Sequence, residues 1–181
     1  YFQLREHKGI SRDEAREVIL NPVFYGAMMV REGLADGFVA GAATTTPDVA
    51  KAGLYCLGID KRIATISSCF IMLIPNCNYG ENGVLIFADC GIIPDPTTRQ
   101  LAQIAISSAE LARKVLGFTP RVAMLSYSTK GSATGRFVER IREATALLKE
   151  MQPGLVVDGE LQVDAAIVPE VAKLKNPDSP I

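Results

Sequence analysis

The chain has 181 residues, of which 48% are hydrophobic and 22% are charged, and a chain of this size and composition can bury a hydrophobic core. Its 19 basic and 20 acidic residues leave a net charge of −1, which argues against nucleic acid or a membrane surface as the partner. One histidine and four cysteines without a C-x-x-C pair argue against a multi-histidine or zinc site. Without a recognisable signal peptide or long apolar run, we expect a cytoplasmic protein with free thiols.

The first third of the sequence predicts mainly helices. A capping box at residues 11–14, Ser-Arg-Asp-Glu, opens one helix, and Asn21-Pro22 supplies the cap and the first residue of a second. Gly33 is the expected end of that second helix. The apolar residues of both helices recur at helical spacing, so we expect their common face to be core.

A short strand at 37–40 is predicted to run into the loop Gly-Ala-Ala-Thr-Thr-Thr-Pro-Asp at 41–48. We expect Thr46 to cap the helix that follows. A strand, a loop of small residues and a helix in succession can bind an anion or a carbonyl oxygen. Thr44 and Thr45 are the candidate donors. A threonine-rich helix cap without a ligand explains the same spacing.

The middle of the chain predicts a hairpin. Residues 63–75 are almost wholly apolar and suit one or two buried strands, and Asn82-Gly83 is a strong hairpin signal. Residues 84–88 return as a strand that ends at Asp89. A carboxylate at the end of a buried strand suits a functional site or a turn cap.

The stretch 121–133 has the clearest pattern in the chain. Residues 122–125 form an uncharged apolar run, and a helical pattern begins near residue 134. The loop between them favours an anion site, although a serine-rich turn that caps the helix fits equally well. The sequence is not a Walker A loop. The candidate ligands are Ser126, Ser128, Thr129, Lys130, Gly131 and Ser132.

After a predicted strand at 155–157, an acidic loop at 158–164 carries Asp158, Glu160 and Asp164. These carboxylates suit general bases, metal ligands or helix-capping charges. The alternation of strands and helices across 84–175 predicts an α/β fold with a mainly parallel or mixed sheet and helices on both faces. The final residues read as a cut rather than a natural terminus.

Five stretches together resemble the phosphate acetyl/butyryl transferase family, which includes the phosphotransacetylases. The resemblance covers essentially all 181 residues. It implies transfer of an acetyl group between coenzyme A and phosphate, with acetyl phosphate as the other product, without metal or bound cofactor, by a cytoplasmic homodimer. The stretches that carry it are residues 1–9, 41–43, 87–90, 122–133 and 158–167.

The same resemblance implies two α/β domains with the active site in the cleft between them. Residues 1–62 would form part of the first domain, and 63–181 an incomplete second domain inserted into it. The catalytic serine, arginine and aspartate of the family are expected beyond Ile181. The catalytic residues of this chain therefore cannot be named, and we expect the 181 residues alone to be inactive.

The resemblance implies a ligand-binding role for three residues. Arg5 matches an arginine associated with coenzyme A or phosphate, and Cys77 matches a cysteine near the coenzyme A site. Lys51 stands where the family has a second arginine. Lysine keeps the positive charge but loses the planar, bidentate fork of a guanidinium, which puts the coenzyme A affinity contributed by this position in doubt.

Two alternatives to acetyl transfer remain open at this point. One is a phosphate butyryltransferase. The other is a non-catalytic domain that senses acetyl-CoA, like the transacetylase-like domain of some malic enzymes. The intact motifs at 128–132 and 158–162 favour an enzyme, whereas Lys51 leaves room for the sensing role.

Overall fold

The computed structural model describes residues 1–181 and has an α/β fold. The chain divides into two compact units, Tyr1–Lys61 and Arg62–Ile181. The first is built from helices, and the second contains all the strands. No helix in the chain combines the length and the apolar character that are needed to cross a membrane.

The helices of the first unit begin where their capping residues predict. Ser11 and Glu14 form the reciprocal capping box, and the Asn21 side chain accepts a hydrogen bond from the Val23 N–H. A 3₁₀ turn, Glu6–Lys8, joins the first two helices. The four helices are α1 Phe2–Arg5, α2 Arg12–Ile19, α3 Pro22–Arg31 and α4 Thr46–Cys56.

Two expectations for the first unit were wrong. Residues 37–40 form no strand, because no other strand in this unit offers a ladder of backbone hydrogen bonds. The Phe38 ring packs against Gly26 instead, and Val39 is fully exposed. The cap of α4 is Thr45 rather than Thr46, because Thr45 lies three residues before Asp48 and the two complete a capping box.

The core of the first unit lies between α3 and α4. Small buried side chains let the two helices approach closely, and half-buried aromatic rings close the edges of the core. Its fully buried members are Val23, Ala27, Ala52 and Cys56.

The second unit contains two separate two-stranded sheets, one antiparallel (β1–β2) and one parallel (β3–β4). The single mainly parallel or mixed sheet expected from the sequence is therefore not formed within these residues, because β2 and β3 do not pair. The elements are β1 Cys69–Leu73, β2 Val84–Ala88, α5 Thr98–Lys114, β3 Arg121–Leu125, α6 Arg136–Met151, β4 Val156–Leu161, α7 Val163–Ile167 and α8 Pro169–Lys175.

The hairpin signal is confirmed, although residues 63–75 supply only the single strand β1, and its residues 70–73 are exposed rather than buried. Asn82 and Gly83 both have positive φ values, 52° and 87°, as the tight reversal before β2 requires. A Cβ at Gly83 would lie 2.2 Å from the Ile74 carbonyl oxygen. Only glycine therefore fits at this point of the turn.

Strand β4 is longer than its sequence suggests, and this changes the place of the acidic residues. Asp158 pairs with Ala123 of β3, and the strand continues through Glu160 to Leu161. Asp158 and Glu160 therefore lie within a strand, 4% and 2% exposed, rather than in a loop. A buried carboxylate needs nearby donors, and the loop after β3 provides them.

Helices α5 and α6 pack against each other and against the β3–β4 sheet to form the main core. The core residues of α5 are mostly alanines, which allow close approach of α6, whereas larger side chains come from α6 and the sheet. Its members are Ala102, Ala105, Ile106, Ala109, Met124, Ala144, Leu148, Leu155 and Val157.

Leu148→Ala tests this core. Leu148 is 0% exposed, so the substitution should lower the free energy of unfolding by about 2–5 kcal/mol through lost burial and the cavity left behind. The matched control is Leu174→Ala on α8, where leucine is 84% exposed and the change should stay within about 0.5 kcal/mol. Urea unfolding measures both. Equal effects of the two substitutions would contradict the placement of this core.

Candidate functional site

In the first unit, Arg5 and Lys51 meet at one aromatic ring. The Arg5 guanidinium carbon lies 4.1 Å from the ring centroid of Tyr55, and the Lys51 ammonium nitrogen lies 5.6 Å from it. Lys51 and Tyr55 are one turn apart on α4, so helix geometry places them on the same face. Two residues 46 positions apart in the sequence thus place their charges together.

An aromatic row supports this pair of cations. The Tyr55 and Phe24 ring centroids are 6.4 Å apart, and those of Phe24 and Tyr1 are 5.9 Å apart, both in edge-to-face geometry. Such pairs contribute about 0.5–1.5 kcal/mol beyond burial. The row therefore fixes the Tyr55 ring, and the ring in turn attracts both cations.

The cations line an open cavity of about 660 Å³. Neither Arg5 nor Lys51 forms a salt bridge, so their N–H groups are free to bind an anion that enters the cavity. A third cation and two carboxylates also line it, which leaves the lining net positive. Its charged residues are Arg5, Lys8, Lys51, Glu14 and Glu17.

The predicted donors Thr44 and Thr45 have different surroundings. The Thr45 hydroxyl is committed to the helix cap, donating to Asp48 at 2.7 Å. The Thr44 hydroxyl oxygen is buried and has no hydrogen-bond partner. An unpaired buried hydroxyl is costly, so Thr44 is the better candidate of the two for contact with a ligand.

In the second unit, the loop between β3 and α6 does form an anion-binding arrangement, but the anion is Glu160 of the chain itself. The Glu160 carboxylate accepts hydrogen bonds from the Ser128 hydroxyl at 3.0 Å and from the Gly131 N–H at 2.8 Å. Arg142 of α6 adds Nε at 2.9 Å and Nη2 at 3.1 Å. A bidentate guanidinium, a hydroxyl and a backbone amide thus surround one carboxylate.

The remaining donors of the loop are also occupied. Every backbone N–H from residue 128 to residue 133 has an acceptor within the second unit. This geometry counts against the expected binding of an external anion by residues 128–132. The acceptors are the oxygens of Ser126, Ser128, Thr129, Ser132 and Glu160.

Lys130, predicted to contribute a free charge, is paired as well. Its ammonium group forms a salt bridge with Asp158 and donates to the Gly159 carbonyl at 3.2 Å. The other oxygen of Asp158 accepts from Asn176 at 2.8 Å and from Ser179 at 2.7 Å. The pair therefore ties the loop to β4 and to the residues after α8.

The same contacts make these carboxylates poor bases. Burial acts to raise the pKa of Glu160, but the hydrogen bonds from Arg142, Gly131 and Ser128 outweigh it and lower the pKa to about 2. Burial of Asp158 is likewise outweighed, mainly by Lys130, so its pKa lies below the usual range. A carboxylate with such a low pKa binds a proton too weakly to serve as an effective general base near neutral pH.

Asp89 and Asp164 are also stabilised as anions. Burial raises the pKa of Asp89, but hydrogen bonds from Ser68 and from the backbone of Ile93 and Gly91 hold it well below its usual range. A hydrogen bond from Lys175 is the main cause of the lowered pKa of Asp164. The structure does not gather three carboxylate, cysteine or histidine side chains into a group that could hold a metal ion.

Cys77 lies in the turn before β2 and is half-buried. Its sulfur accepts a hydrogen bond from the Tyr79 N–H at 3.4 Å. The structure thus places Cys77 in the second unit and Arg5 with Lys51 in the first.

Sequence reasoning missed Tyr55 and Arg142. Tyr55 had a usable signal, because an aromatic residue four positions after a binding cation shares its helix face. Arg142 had none, since its role depends on the close approach of α6 to Glu160, which only the tertiary fold establishes.

Glu160→Gln tests the network around this carboxylate. Glutamine keeps the shape of the side chain but removes the negative charge that accepts hydrogen bonds from Arg142 and Ser128. The free energy of unfolding should therefore fall by about 2–3 kcal/mol at neutral pH. The control is Glu139→Gln, which removes the exposed partner of the same arginine and should change stability by less than about 1 kcal/mol.

The effect should depend on pH in a defined direction. The pKa of Glu160 is about 2 in the folded chain, against a usual 4.5. Its contribution is therefore present above pH of about 4.5 and is lost as the pH falls towards 2. Urea unfolding at several pH values should show that the free energies of unfolding of the unsubstituted chain and of Glu160→Gln converge over that interval. A difference that stays constant with pH would contradict the assignment.

Comparison with known proteins identifies the family. The family model described as phosphate acetyl/butaryl transferase matches residues 1–181. The phosphate acetyltransferase of Thermoanaerobacterium thermosaccharolyticum is 48% identical over 181 residues, which is 100% of this chain and 55% of that protein. The phosphate acetyltransferase of Clostridium acetobutylicum is 44% identical over 179 residues, 99% of this chain and 54% of that protein.

Solved structures agree with this assignment. A phosphotransacetylase from Streptococcus pyogenes superposes with a TM-score of 0.87 at 40% identity, and the EutD phosphotransacetylase from Staphylococcus aureus with 0.85 at 36%. Each match covers 99% of this chain and 53% of the solved chain, so the chain spans about half the length of the relatives it matches. With a family model matched over all 181 residues, the chain belongs to the phosphate acetyl/butyryl transferase family.

Proposed function

We propose that the polypeptide containing these residues transfers an acetyl group between coenzyme A and inorganic phosphate, forming acetyl phosphate. The observation that carries this proposal is the convergence of Arg5 and Lys51 over Tyr55 beside an open, net-positive cavity. The relatives named phosphate acetyltransferase, 44–48% identical over the matched region, support the same reaction.

The chemistry of coenzyme A fits this cavity. Its nucleotide end carries several phosphate groups, which are multiply charged and accept hydrogen bonds on every oxygen. Arg5 can present two parallel N–H donors to one phosphate, and Lys51 adds a point charge beside it. Because neither cation has an internal salt-bridge partner, an entering phosphate need not displace a carboxylate from either one.

The remaining site residues belong to the same proposal. We assign Thr44 to substrate contact because its buried hydroxyl lacks a partner, and Cys77 to the neighbourhood of the coenzyme A site by family resemblance. Residues 128–132 then support the site rather than act as direct ligands, since their backbone N–H groups are bonded internally.

The architecture we propose has two α/β domains with helices on both faces of their sheets. Residues 1–62 belong to the first domain and 63–181 to the second, and the active site lies in the cleft between them. The catalytic groups come from outside these 181 residues. The enzyme works as a cytoplasmic homodimer, with coenzyme A and phosphate as substrates and without metal or bound cofactor.

Butyryl transfer is the second candidate, because the matching family is described by both acyl groups. The residues described here bind the nucleotide end of coenzyme A under this proposal, so they do not discriminate between the two acyl groups. Comparing acetyl phosphate with butyryl phosphate as substrates decides between them.

The test measures coenzyme A-dependent release of phosphate from acetyl phosphate. A chain extended to the length of its relatives should catalyse this release, whereas the 181 residues alone should not. In the extended chain, Arg5→Ala should raise KM for coenzyme A by roughly 10–100-fold, because a charged hydrogen bond contributes about 1.5–3 kcal/mol. Lys51→Arg should lower KM for coenzyme A, because arginine adds the second parallel donor.

Arg12→Ala is the matched control. Arg12 also lies over an aromatic ring, 5.2 Å from the centroid of Phe2, but it does not line the cavity. Its substitution should leave KM for coenzyme A unchanged. If Arg5→Ala and Arg12→Ala changed KM for coenzyme A equally, the assignment of the cavity to coenzyme A binding would be wrong. An extended chain that is inactive with both acyl phosphates would favour a domain that only senses acetyl-CoA.

A further inference from the structure

The amine of Lys51 differs in its surroundings from the amines of the other lysines. Lys8 and Lys51 line the open cavity of the first unit, and of these two only Lys51 also shares the Tyr55 ring with Arg5. Three other lysines are neutralised by salt bridges. They are Lys114, Lys130 and Lys175. Lys51 is therefore an unpaired amine that lies beside a second cation at a cavity.

The carboxylates near Lys51 are bonded to other groups. Asp48, three residues earlier in the sequence, accepts hydrogen bonds from Thr45 in the capping box of α4. Glu14, which lines the same cavity, accepts from the Ser11 N–H at 2.8 Å in the capping box of α2. Neither forms a salt bridge with Lys51, and the lysine side chain is exposed. Its nitrogen is consequently accessible to a small molecule that enters the cavity.

The charges around the cavity favour an acyl phosphate as that molecule. A concave site lined by charges of one sign raises the local concentration of its counterion by about 10–10³-fold, and this lining is net positive. Arg5 can hold two oxygens of one phosphate through parallel N–H donors. In an acyl phosphate, a single oxygen atom separates the phosphorus from the carbonyl carbon. A phosphate held by Arg5 therefore brings that carbon towards the nitrogen of Lys51, which shares the same aromatic ring.

We propose, on the basis of the function proposed above, that Lys51 is a self-acetylation site whose acetyl donor is acetyl phosphate held by Arg5. The neutral fraction of the Lys51 amine attacks the carbonyl carbon, as lysine nucleophiles do. A C–N bond forms and the C–O bond to the phosphate breaks. The phosphate leaves with the electron pair, and the nitrogen releases a proton to water. The products are acetyl-lysine and inorganic phosphate. An arginine at this position could not react, because its guanidinium stays protonated.

Acetylation changes the binding properties of the cavity. It removes the positive charge of Lys51, so the cavity loses one of the two cations that attract the phosphates of coenzyme A. Coenzyme A and acetyl phosphate compete for these cations, so the modification accumulates when acetyl phosphate is abundant and coenzyme A is scarce. An excess of one substrate thereby weakens the binding of the other.

Peptide mass spectrometry of a chain extended to the length of its relatives, incubated with acetyl phosphate alone, tests this proposal. Lys51 should be acetylated at least about tenfold faster than Lys149, because the cavity concentrates the donor. Lys149 is the matched control, since it is also exposed on a helix but lies outside the cavity. Desulfo-coenzyme A, which lacks the thiol that consumes acetyl phosphate, should slow the reaction at Lys51 and leave Lys149 unaffected. Equal rates at the two lysines, or faster reaction at Lys8 than at Lys51, would overturn the proposal.

Two further comparisons test the donor and its position. Arg5→Ala should slow the acetylation of Lys51 to the rate of Lys149, whereas Arg12→Ala should leave the rate at Lys51 unchanged, since Arg12 does not line the cavity. Acetyl-CoA at the same concentration should acetylate Lys51 more slowly than acetyl phosphate does, because its thioester is at the opposite end of the molecule from the nucleotide phosphates. A faster reaction with acetyl-CoA, or an unchanged rate in Arg5→Ala, would contradict acetyl phosphate held by Arg5 as the donor.

Enzyme kinetics after the acetyl phosphate has been removed test the consequence. Pretreatment should raise KM for coenzyme A of the acetylated fraction roughly tenfold, through loss of a charged hydrogen bond. The same rise should occur in Lys149→Arg, whereas pretreatment of Lys51→Arg should leave its KM as it was before. A rise in pretreated Lys51→Arg would place the effect at another residue and overturn the proposal.

This proposal and the proposed function fail in different ways. Acetylation is measured by mass and needs no turnover. An extended chain that does not release phosphate from acetyl phosphate in the presence of coenzyme A would contradict the proposed function. An active chain whose lysines are acetylated at equal rates would contradict only the assignment of Lys51.

Discussion

The carboxylate of Glu160 connects three elements of the second unit. It lies in β4, receives the Ser128 hydroxyl and the Gly131 amide from the loop after β3, and receives the guanidinium of Arg142 from α6. A carboxylate 2% exposed would be strongly destabilising without these donors. The position of β4 beside β3, the form of the loop and the approach of α6 are therefore mutually dependent. Lys130 and Asp158 form a similar charged pair two residues earlier in β4.

The loop after β3 has the composition of an anion-binding loop, but it binds a carboxylate of the protein itself. The small polar residues after β3 have the composition of a phosphate loop, and the geometry is one in which N–H, hydroxyl and guanidinium groups converge on an anion. The anion, however, belongs to the protein. The cation of the loop, Lys130, is paired with Asp158, whereas Arg5 and Lys51 of the first unit lie over an aromatic ring beside an open cavity and form no salt bridge.

Arg5 and Lys51 depend on Tyr55 in a different way. The ring does not neutralise either charge but attracts both through its π face, so two cations lie close together without a carboxylate between them. Such an arrangement keeps electrostatic attraction available for a ligand. The lysine at position 51 retains this attraction and gives up the directional fork that an arginine would offer.

The sequence by itself determined the local structure wherever short-range chemistry decides it. The caps at Ser11 and Asn21 and the Asn82-Gly83 turn follow from neighbouring residues, because a cap or a tight turn involves positions at most a few residues apart. The family motifs could be recognised for the same reason, because each is a short run of consecutive residues.

Only the tertiary structure decided which of the polar groups are free. Whether Lys130 or Lys51 can meet a ligand depends on Asp158, 28 residues away from Lys130, and on the absence of a comparable partner at Lys51. The predicted strand at 37–40 failed for a related reason, since a strand exists only where another strand completes its hydrogen bonds. Pairing between distant residues is not encoded in local spacing, and the fold alone brings those partners together.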